Sequence, residues 1–187
     1  MSVLADVSIR EQIAARRIVL DPFEPANIQP ASVDVRLGAE FRVHRNWKAS
    51  HIDPFEPNLD LMEAMTIAED EAFVLHPGEF ALGHTLERLT LPDDLVAQVN
   101  GKSSLGRIGL QVHSTAGWVD PGWSGQIVLE FSNVSRLPIK LRPRMRVAQF
   151  VFLRMDRPVE RGYGHPDLNS KYQGQQGAQA SKYDLNR

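Results

Sequence analysis

The sequence is divided into short stretches of alternating apolar and polar residues, separated by prolines and glycines. In SVDVRLG every second residue from Val33 to Leu37 is apolar, which predicts a half-buried β-strand. FRVH, AFVL and EFALGHT continue this pattern, and Pro77 and Gly78 separate the last two. Twelve prolines and thirteen glycines leave little room for long helices. These features predict a mainly β fold, a sandwich or jelly-roll with one or two helices.

Two later segments predict longer strands. QIVLEFS has Ile127, Leu129 and Phe131 on one face and the intervening residues, including Glu130, on the other. RVAQFVFLR is a long apolar run, which predicts a central strand. Residues 45–70 are mixed and polar, and they predict a long excursion from the sheets.

One helix is predicted near the N-terminus. Ser8 and Glu11 have the spacing of a capping box, and Ile9, Ile13 and Ala14 lie on one side of the helix. The chain carries charges early and lacks an apolar signal core at its start, so we expect a cytoplasmic protein.

The composition limits the classes of function. A chain of 187 residues suits a single domain, residues 1–187, with a sizeable core. The net charge of -2 gives no basic field for a nucleic-acid partner, and no apolar run approaches the ~20 residues of a membrane span. The absence of cysteine excludes disulfides and cysteine nucleophiles, and it removes the usual ligands of a structural zinc.

The C-terminal segment, residues 169–187, differs from the rest of the chain. NSKYQGQQGAQASKYDLNR is polar, contains glycines and has few aliphatic side chains, so it cannot bury enough surface to fold alone. It is either a disordered terminus or a flexible lid that becomes ordered over a ligand.

GKSSLGR, residues 101–107, is similar to the end of a phosphate-binding P-loop. The full P-loop needs a second glycine five positions before the Gly-Lys pair, and that position is Val96. The P-loop interpretation therefore fails on spacing. The run can still bind an anion through hydroxyls, backbone N–H groups and a guanidinium, or it can be a solvated turn capped by serines.

Residues 101–133 contain the highest density of chemically useful residue types. Asp120, before Pro-Gly, is most simply a turn residue, and His113 is more often structural than catalytic. Trp118 and Trp123 are most simply core or interface anchors. Glu130 lies in an otherwise apolar strand, where an unpaired buried carboxylate is costly. Its side chain must face solvent, an ion-pair partner or a functional site.

Taken together, these segments resemble the dCTP deaminase family, a branch of the dUTPase superfamily. The resemblance covers nearly the whole chain, from DPF and QPASVDVRLG through HPGEF and GKSSLGR to SKYQGQQGA. STAGWVDPGWSGQIVLEFSN is its most specific part, because many residue types recur there at fixed spacing. The resemblance implies a distorted jelly-roll or dUTPase-like β-barrel with a short N-terminal helix and few other helices.

The resemblance also implies a hydrolytic enzyme that deaminates dCTP. Water must add at C4 of cytosine, a proton must reach N3 and ammonia must leave, and one carboxylate can carry these protons. The family pattern assigns this role to Glu130. It assigns the water to the Ser103 hydroxyl and the Ala116 backbone, with Arg107 nearby. Zinc-dependent deaminases carry H-x-E and P-C-x-x-C; this chain has neither, so no zinc is expected.

The family pattern further implies how the nucleotide is held. Lys102 and Ser104 lie near the phosphates, and Asp120 accepts the 3′-hydroxyl of the deoxyribose. Magnesium rides on the triphosphate with few direct protein ligands. The other substrate-binding residues implied are Trp118, Tyr163, Lys171, Tyr172 and Gln175. The family is homotrimeric with sites at subunit boundaries, and inhibition by dTTP is a further expectation.

Two branches of the family differ in their product. The deaminase-only branch releases dUTP and tends to carry His-Arg after Thr-Ala, whereas the bifunctional branch also cleaves the α–β phosphate bond and releases dUMP and pyrophosphate. Gly117 and Trp118 resemble the bifunctional branch. The alternatives are a deaminase that stops at dUTP, a plain dUTPase, and a non-catalytic nucleotide-binding protein on the same scaffold.

Overall fold

The computed structural model describes residues 2–45, 47–56, 61–113 and 115–186. Parts of the predicted excursion (residues 46 and 57–60), Ser114 of the STAGW motif, and the two ends of the predicted domain and lid (Met1 and Arg187) lie outside the described residues. The strands are β1 (Ser2–Val3), β2 (Val19–Asp21), β3 (Ile28–Gln29), β4 (Ser32–Arg36), β5 (Glu40–His44), β6 (Met62–Thr66), β7 (Phe73–Leu75), β8 (Phe80–Thr90), β9 (Leu95–Gly101), β10 (Leu110–Val112), β11 (Trp118–Val119), β12 (Ser124–Asn133), β13 (Ile139–Leu141) and β14 (Arg146–Arg154). The α-helices are α1 (Asp6–Ala14) and α2 (Ser103–Gly106), and 3₁₀ turns form at Pro25–Asn27, Pro166–Leu168 and Tyr183–Asn186.

The strands form two large antiparallel sheets and one small one. The first large sheet has the order β11-β9-β14-β4-β3, with β1 also paired to β14. The second has the order β10-β12-β8-β5-β6, with β2 also paired to β8, and β13 pairs with β7 alone. The mainly β fold with a short N-terminal helix is therefore confirmed. Among the described residues, an isolated bridge between Leu37 and Thr85 connects the two large sheets, and they do not close into one barrel.

One apolar core joins the two large sheets. Alternation on β12 directs Leu129 and Phe131 inward, and alternation on β14 directs Phe150 and Phe152 inward; all four are fully buried. Burying each such side chain contributes about 1.5–3 kcal/mol. β14 lies between β9 and β4, so the predicted central position of this strand is confirmed. No helix among the described residues is long and apolar enough to cross a membrane.

The structure corrects two local predictions and adds one strand that was not predicted. Helix α1 begins at Asp6 after Ala5, and no side chain caps it, so the capping box at Ser8 and Glu11 is wrong. The excursion is shorter than predicted, because β6 returns to the sheet beside β5. β9 was not predicted from LPDDLVAQVN, although it pairs with β14 over seven residues.

The prediction of a half-buried β4 is also wrong, because both faces of this strand are covered. Val33 and Val35 face the core as expected. On the opposite face, Ser32 is 6% exposed and Asp34 is 3% exposed. A buried carboxylate needs a cationic or hydrogen-bonding partner, which the pattern of apolar residues cannot reveal.

Candidate active site

A cavity of about 500 Å³ opens beside β12, between the β11 turn and the C-terminal segment. Its walls combine strand residues, which are fixed by sheet hydrogen bonds, with residues 172–181 of the chain's end. The predicted site residues that line it are Ala116, Trp118, Asp120, Glu130, Tyr163, Tyr172 and Gln175. The fold thus brings together groups that are up to 59 positions apart in the sequence, from Ala116 to Gln175.

Glu130 projects from β12 into this cavity. Its strand neighbours Leu129 and Phe131 point into the core, so the alternation turns Glu130 to the opposite face, where it is half-buried. The backbone N–H of His113 donates to the Glu130 carbonyl at 2.9 Å, which fixes the strand locally. Within the described part of the chain, the carboxylate makes no hydrogen bond or ion pair. Of the alternatives left by the sequence, a carboxylate facing a cavity fits this arrangement best.

Asp120 lies at the cavity mouth, in the turn after β11. The backbone N–H of Trp123 donates to the Asp120 backbone carbonyl at 3.2 Å and closes this turn. Gly122 has a φ of 81° and lies so close to Gly162 that a side chain would be crowded, so the turn requires glycine. Partial burial raises the pKa of the Asp120 carboxyl. Asp120 is nevertheless exposed, so the carboxylate is only partly covered.

Tyr163 links the turn to the C-terminal segment. Its ring packs on Trp123 with centroids 5.1 Å apart, and its hydroxyl accepts a hydrogen bond from the Tyr172 N–H at 3.2 Å. Burial raises the pKa of Tyr163, and the nearby charge of Asp120 acts in the same direction. Both tryptophans line the cavity, but Trp123 is buried as a core anchor, whereas Trp118 is 46% exposed.

The C-terminal segment is docked along the cavity-facing side of β12. The N–H groups of Gly174 and Gln126 donate to the Ser124 and Gln175 carbonyls at 2.7 and 3.0 Å. Gln175 is 7% exposed, and its amide donates to the Gln126 carbonyl at 2.8 Å. In this arrangement Gln175 holds the segment in place.

Lys171 does not line the cavity. Its ammonium donates to the side-chain oxygen of Asn186 at 2.5 Å, and its carbonyl accepts from the Lys182 ammonium at 3.0 Å. The end of the chain therefore folds back on residues 169–172. The substrate-binding role implied for Lys171 stays a prediction.

The predicted anion-binding run, residues 101–107, lies at a different place. Lys102 and Ser103 line a second cavity of about 390 Å³ together with Gly101, Gly106, Leu110 and Gln149. Ser104 and Arg107 are exposed and line neither of these two cavities. α2 is one turn long, with Lys102 at its N-cap and no capping side chain, so no serine caps it. One chain does not bring this run into the cavity that contains Glu130.

Several cavity residues were missed by sequence reasoning. His44, Met62, Phe80 and Leu82 come from β5, β6 and β8, and their position depends on strand order, which the pattern does not give. His113, which was weighed as structural, also lines the cavity. Both of its ring nitrogens are buried without a partner among the described residues, and its φ is 60°.

Comparisons with known proteins agree with the resemblance seen in the sequence. Residues 3–155 match the model of a family described as dCTP deaminase-like. A protein named "dCTP deaminase, dUMP-forming" from Pseudarthrobacter chlorophenolicus is 51% identical over 184 residues, covering 98% of this chain and 96% of that protein. The protein of the same name from Mycolicibacterium smegmatis is 53% identical over 184 residues, covering 98% and 97%.

A solved structure supports the fold. The crystal structure of 2′-deoxycytidine 5′-triphosphate deaminase from Agrobacterium tumefaciens superposes with a TM-score of 0.63 at 28% identity. The match covers 80% of this chain and 47% of that chain, so it spans about half of the solved protein.

Proposed function

Because this chain belongs to the dCTP deaminase-like family, we propose that it hydrolyses dCTP to dUMP, ammonia and pyrophosphate. The observation that carries the proposal is the Glu130 carboxylate, half-buried and without a described partner, in the same cavity as Asp120. Two relatives named as dUMP-forming, at 51% and 53% identity over nearly the full chain, support the choice of product.

Glu130 carries the protons of the first reaction. It takes a proton from the attacking water as the C4–O bond forms and delivers it to N3. It then carries the proton of the new C4 hydroxyl to the amine, which leaves C4 as a carbonyl. The C4–N bond then breaks, so that dCTP and water give dUTP and ammonia. General acid–base help of this kind contributes about 10² to 10⁴ in rate. The Ala116 backbone, which lines the same cavity, is a suitable acceptor for the water.

The second reaction takes place at the other end of the bound nucleotide. Water adds to the α-phosphorus, the bond from this phosphorus to the α–β bridging oxygen breaks, and pyrophosphate leaves with dUMP as the other product. Asp120 holds the 3′-hydroxyl and helps to orient this second water. Its exposed position at the cavity mouth suits a group that acts on sugar and phosphate.

The remaining groups come from a neighbouring subunit. Ser103 and Arg107 are required near the water and the phosphates, yet in one chain they lie outside the Glu130 cavity. A homotrimer in which the run 101–107 of one subunit approaches the Glu130 cavity of the next accounts for this separation. In a closed ring of identical contacts, each chain completes the site of one neighbour with its residues 101–107. Its own Glu130 cavity is completed by the other neighbour.

The C-terminal segment acts as the lid of this site. Residues 172–181 already form one wall of the cavity through Gly174 and Gln175, so release of these contacts would open it. Lys171 would then exchange Asn186 for a phosphate oxygen. Such an exchange replaces a neutral partner by a charged one, which strengthens the hydrogen bond.

Magnesium accompanies the triphosphate in this proposal. The described residues contain no group of three or more His, Asp or Glu side chains able to hold a metal ion. An ion bound mainly by phosphate oxygens and water matches the known preference of magnesium. Independence from zinc, inhibition by dTTP and a cytoplasmic location also belong to the proposal.

The deciding experiment is product analysis with dCTP and dUTP as separate substrates. Ammonia, pyrophosphate, dUTP and dUMP are measured over time for the wild type, for Glu130→Gln and for a control, Glu69→Gln, on the exposed surface. We expect dCTP to give ammonia, pyrophosphate and dUMP with little free dUTP. Persistent dUTP without pyrophosphate indicates a deaminase only. Cleavage of dUTP without any ammonia from dCTP indicates a plain dUTPase.

A further inference from the structure

Asp34 is buried on the face of β4 that points away from the core. The strand register aligns Asp34 with Gln149 on β14 and Asn100 on β9, so these residues share the outer face of the sheet. Only 3% of the Asp34 side chain is exposed. The fold therefore buries the Asp34 carboxylate on the outer face of the sheet, away from the apolar core.

The carboxylate is covered by a residue of the anion-binding run. Lys102 Nζ lies 2.5 Å from Asp34 Oδ1, with the lysine side chain 24% exposed. Arg146 approaches the other oxygen at 4.0 Å, but its side chain is 47% exposed. Lys102 is therefore the principal partner of Asp34, and its ammonium is engaged at the sheet surface.

A second contact holds the same turn of the chain. The Ser32 hydroxyl donates to Gln149 Oε1 at 3.0 Å, and Gln149 Nε2 donates to the Gly101 carbonyl at 3.5 Å. The second of these bonds is long and correspondingly weak. Asp34 and Gln149 together fix residues 101 and 102, immediately before α2 begins.

The contacts within α2 do not fix the orientation of this helix. A helix of one turn is far too short to be stable by itself, and this one has no capping side chain. None of its residues is buried, and only Leu105 packs partly against the core. The orientation of Ser103, Ser104 and Arg107 therefore comes from the residues on either side of the helix. β10 follows it and is held by pairing with β12, and residues 101 and 102 precede it.

We infer that Asp34 is a positioning residue, which acts through Lys102 to orient residues 103–107 toward the nucleotide of the neighbouring site. This inference rests on the proposed function for the role of the oriented groups. It gives Lys102 a structural task in addition to the phosphate contact predicted for it. A misplacement of about 1 Å in such groups can cost about 10² in rate.

A double-mutant cycle tests the inference. The variants are Asp34→Asn, Lys102→Met and the double variant, with Glu69→Gln as a control, because it makes the same kind of change in the exposed Glu69–Arg144 pair. kcat and KM for ammonia release from dCTP are measured, together with hydrogen exchange of residues 103–107 and thermal unfolding.

We expect Asp34→Asn to lower kcat/KM by about 10- to 100-fold and to speed hydrogen exchange of residues 103–107, while the control changes neither. Because Asp34 acts through Lys102, the double variant should be no worse than Lys102→Met within about threefold. Two results would overturn the inference. One is a kcat/KM for Asp34→Asn within threefold of the control, and the other is multiplication of the two single losses in the double variant.

Two further readouts keep the test decisive. If Asp34→Asn does not fold, the double variant, which leaves no buried charge unpaired, takes its place, and faster hydrogen exchange of residues 103–107 than in the control is expected. Unchanged hydrogen exchange in the double variant then contradicts the inference. If the wild type releases no ammonia, the proposed function has failed, and the hydrogen exchange of residues 103–107 alone decides whether Asp34 positions them.

Discussion

The two halves of the proposed site are built in opposite ways. The half around Glu130 is carried by long strands whose other faces fill the core, so its geometry is fixed by the same burial that stabilises the protein. The half at residues 101–107 is an exposed single turn that is held at its start by Lys102 and Gly101. In our proposal, the first, rigid half holds the proton-carrying Glu130, and the other half holds the phosphate-binding groups where the contacts of Lys102 and Gly101 direct them.

This contrast leads to different expectations for mutations in each half. A change at Glu130 removes a chemical group from an intact frame. A change at residues 101–107 alters groups that, in our proposal, complete the site of another subunit. A change at Glu130 should abolish the reaction in the cavity of the chain that carries it. A chain with a change at residues 101–107 should keep an active cavity when a neighbouring subunit supplies an intact run.

Glu130→Gln tests the rigid half and should have the largest effect. The amide keeps the shape but cannot accept a proton, so ammonia release should fall by about 10² to 10⁴. Nucleotide binding, measured by calorimetry with dCTP, should change little. Wild-type turnover by this variant would remove Glu130 from the mechanism.

Mixing two inactive variants tests the separation of the halves. Glu130→Gln and Arg107→Ala chains, carrying different tags, are coexpressed and the mixed oligomers are purified. If each site takes Glu130 from one chain and Arg107 from another, every mixed trimer has one intact site out of its three. Deamination should therefore rise well above that of either variant alone. The same mixture without any recovery would mean that both residues act within one chain.

Removal of the C-terminal segment, residues 169–187, tests the wall that this segment adds to the Glu130 cavity in the rigid half. The main core lies in the strands and should survive, although the small cluster of Met62, Leu82 and Ala178 loses one member. We expect KM for dCTP to rise and kcat to fall, together lowering kcat/KM by about 10- to 100-fold. Circular dichroism checks the fold. A truncated enzyme with normal kinetics would rule out the lid.

The strands of the rigid half were predictable from the sequence to a large extent. Alternation located β4, β5, β7, β8 and β12, because one face of each strand fills the core, and a long apolar run located β14. It also placed Glu130 opposite Leu129 and Phe131. Strand order, and with it the cavity wall formed by Phe80 and Leu82, depends on long-range pairing that leaves no local signal in one sequence.

The features that the sequence did not reveal are contacts between polar groups and between parts of the chain that are far apart in the sequence. Burial of Asp34 depends on a lysine 68 positions away, and no periodicity predicts such a pair. The capping box failed because α1 starts at Asp6, two residues before Ser8. The resemblance to a family, and not the residue pattern, singled out Ser103 and Arg107, and their part in the site remains a prediction.

Substitution of Asp120 should have the smallest effect, which is on stability, and it tests how exposed to solvent the cavity mouth is. Burial raises the pKa of its carboxyl in the folded chain, so folding favours the protonated form. The stability from this preference is present below the unfolded pKa of about 3.9 and is lost as the pH rises through the folded value. Asp120→Asn, which stays neutral, should therefore match the wild type at pH 3.

The stability difference for Asp120→Asn should then grow in favour of the variant and level off by neutral pH. Because the Asp120 side chain is largely exposed, solvent screening should keep this gain to about 0.5 kcal/mol or less. Thermal unfolding across the pH range, with Asp70→Asn at an exposed position as the control, measures it. A gain that is equal at pH 3 and pH 7 would mean that titration of Asp120 is not its cause. A larger gain would mean that the mouth is as enclosed as the strand-built interior.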